Sequence, residues 1–106
     1  MSFTGTWSVA SSPDFDEDSL TEAGDPYVTL RQRSDRVEGR YQIGLMNGDI
    51  DGRLDGNDRA LFSFEGMDEL EEVNGAGTVT LQGDRLRFTL MYHQGDTWTF
   101  ECERRP

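Results

Sequence analysis

Lysine is absent from the chain: all ten basic residues are arginine, set against 21 Asp and Glu, for a net charge of −11. A summed field of that sign repels polyanions, which excludes nucleic acid and anionic membrane as partners. Cysteine is nearly absent as well. Cys102 alone can neither close an internal disulfide nor anchor a zinc site, which fits a reducing, cytoplasmic setting. No apolar run approaches the ~20 residues that span a bilayer, and Met1 to Gly5 lack the basic and apolar regions of a secretion signal. Proline is scarce: two of three, Pro13 and Pro26, bracket one segment, leaving the rest of the chain free to form backbone ladders.

What remains is one domain over residues 1–106, with 34% hydrophobic residues and 12 glycines. A chain of this length buries about two-thirds of its surface, enough for one core. Period-two alternation punctuated by Gly, Asn and Asp recurs throughout, the mark of short antiparallel strands. Eight segments qualify: Gly5–Val9, Tyr27–Arg33, Arg36–Ile43, the run holding Ile50, Gly52 and Leu54, Ala60–Glu65, Ala76–Gln82, Arg85–Tyr92 and Asp96–Arg104. Ser34-Asp35, Asp55–Asp58 and Gly83-Asp84 supply short turns. Eight consecutive antiparallel strands close best as an up-and-down barrel, because closure removes both exposed edges. The fold class is therefore all-β, an eight-stranded barrel with one short helix or lid between the first two strands. The other four connections, Ser11–Pro26, Leu45–Gly48, Gly66–Asn74 and His93–Gly95, share the opposite end. One closed and one elaborated end places function at the mouth.

Gly5-Thr6-Trp7 resembles the lipocalin Gly-x-Trp signature, and with the barrel pattern the chain resembles the calycin superfamily of lipocalins, fatty-acid-binding proteins and avidins. The resemblance implies that Trp7 plugs the closed end and that a basic residue of the last strand, Arg104, packs across its ring by cation–π attraction. It also implies that Ser11–Pro26 is the lid. The chain is shorter than typical lipocalins, which argues against a roomy lipid cavity.

Few residues carry chemistry. His93 in a mouth loop has no Ser or Cys nucleophile in evident register, so the chain reads as a non-enzyme with no cofactor. Cys102, between Phe100 and Arg104, reads as a buried structural thiol. Asn47 to Asp58 has the acids of a calcium loop but places Arg53 where an oxygen ligand belongs; alternation makes it a solvated strand and hairpin, with no metal expected. Asp14, Asp16, Glu17 and Asp18, with Asp68, Glu69, Glu71 and Glu72, make the mouth acidic. The leading expectation is a binding module for a small apolar or cationic molecule, its pocket lined by Phe15, Leu20, Tyr41, Met67, Tyr92 and Trp98 with Arg40 or His93 at the rim. Phe15 and Leu20 are either such anchors or staples that close the lid. The alternative is a protein-interaction module, such as a small protease inhibitor, that offers its acidic loops to a basic surface. In either case the chain is expected to be a monomer or weak homodimer.

Overall fold

The alternating segments form a ladder with no free edge. In the computed structural model, which describes residues 2–106, the strands are β1 (Gly5–Ser11), β2 (Tyr27–Arg33), β3 (Arg36–Ile43), β4 (Met46–Leu54), β5 (Arg59–Asp68), β6 (Glu71–Gln82), β7 (Arg85–Tyr92) and β8 (Thr97–Arg104). Each pairs antiparallel with its sequence neighbours, and β1 with β8 closes the barrel. The closing register pairs Trp7 with Arg104 and Val9 with Cys102, so β1 meets the C-terminal half of β8. A bulge between Val9 and Ser11 then shifts the register, and the ladder ends with Ser11 opposite Glu101. Beyond it, side chains replace the backbone pairing: Ser12 Oγ donates to the Thr99 carbonyl at 2.6 Å, and Thr99 N–H donates to Asp14 Oδ2 at 2.8 Å.

The segment after β1 carries one short helix, α1 (Glu17–Leu20), capped by Asp16, whose carboxylate accepts from Ser19 N–H at 2.8 Å. That bond holds the Asp16 carboxyl below its ordinary value.

Two expected loops are strand instead. Gly66–Asn74 belongs mostly to the β5–β6 hairpin, whose ladder runs on to Asp68 opposite Glu71 and turns at Glu69 and Leu70. Leu45–Gly48 is likewise mostly β4, since the chain reverses at Gly44, with φ +59, and Leu45. The inward positions here are Met46, Gly48, Gly66, Asp68, Glu71 and Val73, so the apolar half of the alternation is reduced to Met46 and Val73 while the hydrogen bonds persist.

Aromatic rings fill the interior. Phe62 stacks on Phe88 at 5.4 Å, and Tyr41, Phe64 and Phe100 surround this pair. Glycine on the facing strand makes room for one of these rings: a Cβ at Gly77 would come within 2.5 Å of Phe62. At the closed end Phe3 and Trp7 are fully buried, with Trp7 Nε1–H donating to the Phe3 carbonyl at 3.0 Å. Among the described residues no helix is long and apolar enough to cross a membrane.

Candidate functional site

Up-and-down order brings the lid, the β3–β4 turn, the β5–β6 turn and the β7–β8 turn to one end. Backbone hydrogen bonds tie these neighbours together: Gly44 N–H donates to Leu20 O and Glu69 N–H to Leu45 O, both at 3.0 Å. Between them lies a cleft of about 230 Å³. Its apolar surface comes from Phe15 and Leu20 of the lid, Ile43 and Met46 flanking the β3–β4 turn, and Trp98 of β8. Its polar surface comes from Ser19, Glu22, Asp68 and Glu69, with no arginine among them.

The floor of this end is an aromatic and carboxylate cluster. Tyr92 Oη donates to Asp68 Oδ2 at 3.0 Å, and Tyr92 meets Trp98 edge-on at 6.4 Å between ring centres. Burial, and then the hydrogen bond to Asp68, push the Tyr92 phenol well above its ordinary value. Tyr41 is only 2% exposed, and burial followed by the Asp68 charge pushes its phenol up too. Two polar atoms are buried here without a hydrogen-bond partner: the Tyr41 hydroxyl and Trp98 Nε1. Such atoms cost about 1–3 kcal/mol each when nothing pairs with them.

The expected site residues divide. Phe15, Leu20 and Trp98 line the cleft. Tyr41 and Tyr92 stand inside the barrel, on the inward faces of β3 and β7. Met67 does not line this cleft: it lies on the outward face of β5, paired with Asn47 and Glu72, because the strand extends through the expected loop, and there it borders a second, wider groove of about 690 Å³ together with Arg40 and Tyr41. Arg40 also faces outward and ion-pairs with Asp49 at 3.3 Å. His93 is exposed in the β7–β8 turn, held by its backbone N–H to Asn74 O, and does not line the cleft.

Both lid residues are bound into the packing as well. Leu20 is 4% exposed and part of the core, and Phe15 packs on Trp98 at 4.9 Å and Phe100 at 5.7 Å. They are staples that also form cleft wall. Ile43, Met46 and Ser19 are cleft residues that sequence reading did not select. The signal for Ile43 and Met46 was the glycine between them: Gly44 in a left-handed conformation makes a tight reversal and leaves its two flanking inward residues side by side.

No family model and no curated protein matches the chain. Solved structures do. A redesigned beta barrel, mFAP1, solved bound to DFHBI, superposes with TM-score 0.68 at 16% identity, covering 95% of this chain and 94% of its own. Human cRBP IV superposes with TM-score 0.58 at 17% identity, covering 99% of each chain. The barrel is calycin-like, closed and all-β, with one short helix between its first two strands.

Proposed function

We propose that the chain is a non-enzymatic binding module that holds one small, partly apolar molecule in the mouth cleft. The observation that carries this reading is the mouth cleft itself, where Phe15, Leu20, Ile43, Met46 and Trp98 form apolar wall beside a few polar groups, Ser19, Glu22, Asp68 and Glu69. Ligand sites combine apolar walls with a few polar groups left free to orient the guest. The cleft lies below the ~300 Å³ at which drug-sized pockets begin, so it suits a molecule of about one ring. The fold shared with a barrel solved bound to DFHBI supports the reading without naming the guest.

The reading of the lid as a protein-docking surface draws less support. Asp14 accepts from Thr99 N–H of β8 and Asp16 from Ser19 N–H, so one oxygen of each carboxylate already serves to hold the lid.

Native mass spectrometry after incubation with single-ring apolar compounds tests the reading. A 1:1 adduct is expected, and Ser19→Trp should abolish it, because Ser19 is an exposed lid residue on the cleft edge and an indole there covers the opening without touching the core. Adducts that survive Ser19→Trp, or no adduct with any compound, would overturn the reading.

A further inference from the structure

The charges of this protein are segregated along the barrel axis. Every arginine except Arg40 sits in the half of its strand nearest the closed end or just past β8. All six ion pairs among the described residues use these arginines or Arg40. Of the carboxylates in the mouth half, only Asp49, through Arg40, has an ion-pair partner among the described residues. Glu22, Asp68 and Glu69 line the cleft, none of them has an ion-pair partner among the described residues, and no arginine comes near.

Asp68 is the central group of the three. It projects from an inward position at the end of β5, and only its Oδ2 is engaged, by the Tyr92 hydroxyl. The nearly fully buried Tyr41, its hydroxyl unpartnered, lies close enough to feel the same charge. Asp68 is half-buried, with Oδ1 left to accept from a guest, and the Trp98 ring in the same cleft adds cation–π attraction for an ammonium.

We infer that the cleft is selective for an apolar amine, with the ammonium held against Asp68 and the hydrophobic body against Phe15, Leu20 and Trp98, and that it rejects apolar carboxylates. This inference rests on the reading of the cleft as a ligand site. A carboxylate guest would bring a like charge to a mouth with no cation to receive it, whereas an ammonium is drawn in by the whole anionic end.

Three probes with one phenethyl body separate charge from shape: 2-phenylethylamine, 2-phenylethanol and 3-phenylpropanoate, each titrated calorimetrically at low and at 0.5 M salt. The amine should bind about tenfold more tightly than the alcohol, the carboxylate more weakly than either, and the amine advantage should shrink in high salt. Asp68→Asn, which keeps an acceptor for Tyr92, should bring amine affinity to within about twofold of alcohol affinity in the same variant. Alcohol binding equal to or tighter than amine binding, or an amine preference undiminished in Asp68→Asn, overturns the inference but leaves the cleft a ligand site. If no probe binds at millimolar concentration, the ligand site and the amine preference fall together.

Discussion

The guanidinium of Arg104 lies over the Trp7 ring, 4.1 Å from its centroid, and donates to Thr4 O at 2.7 Å and Ser2 O at 2.9 Å. One side chain from the last strand thus stacks on the first strand and fastens the segment that covers the closed end. Stacking and two charge-assisted hydrogen bonds combine in a planar fork that lysine does not reproduce. Arg104→Ala should therefore cost about 2 kcal/mol in urea unfolding, with Arg104→Lys recovering less than half. A fully recovered Arg104→Lys variant would show that charge alone, and not the stacked fork, matters.

The two tyrosines of the mouth should respond oppositely to loss of the hydroxyl. Tyr92→Phe removes the bond to Asp68 and should destabilise by about 1–2 kcal/mol. Tyr41→Phe deletes a buried hydroxyl with no partner and should be neutral or stabilising by up to about 1 kcal/mol. Equal destabilisation by both, measured by the shift of the urea midpoint, would mean that Tyr41 is paired in solution.

Lid packing makes a graded expectation. Leu20→Ala opens a core position and should cost about 2–4 kcal/mol. Phe15→Ala should cost less, since Phe15 is only partly buried, but should increase amide exchange in the Ser11–Pro26 segment. A lid-deletion effect confined to binding, with unfolding unchanged, would contradict the stapled arrangement of Phe15 on Trp98 and Phe100.

Cys102 sets an alkaline dependence. Burial, with a smaller effect of the Glu101 charge, pushes its thiol from the ordinary 9.0 up to about 12. Above pH 9 the unfolded chain loses this proton while the folded chain keeps it, so the contribution is fully present below pH 9 and is lost as pH rises toward 12. Stability should fall across that window, and Cys102→Ala should flatten part of the slope. The native thiol should also stay inert to a disulfide reagent until the barrel unfolds; rapid modification at neutral pH would contradict its burial.

The barrel was legible wherever apolar and polar residues alternate. Leu86, Phe88 and Leu90 of β7 point inward as their spacing demands, and the three short turns at the closed end lie where Gly, Asn and Asp cluster. Pattern reading failed at Gly66 to Asn74 for one reason. A strand is defined by its backbone hydrogen bonds, and where its inward positions are mostly glycine or acid, as at Gly66, Asp68 and Glu71 with Val73 alone apolar, side-chain pattern no longer reports them.

The amino-acid order by itself determined the strand count, the acidity of the mouth and the inward place of Cys102, which follow from local periodicity and composition; the Trp7 and Arg104 partnership was implied by the resemblance of Gly5-Thr6-Trp7 to the lipocalin signature. Only the tertiary structure decided which mouth residues meet. Met67 and Asp68 are adjacent in sequence, yet the register of β5 against β4 and β6 sends the first outside and the second inward, where its Oδ2 takes the Tyr92 hydroxyl. Ile43, Met46, Leu20 and Trp98 come from four elements and share one cleft because barrel closure sets their heights along the axis. A one-residue change of register would exchange the two faces of β5, and what local pattern does not report is that the alternation set by Phe62 and Phe64 runs on as strand to Asp68.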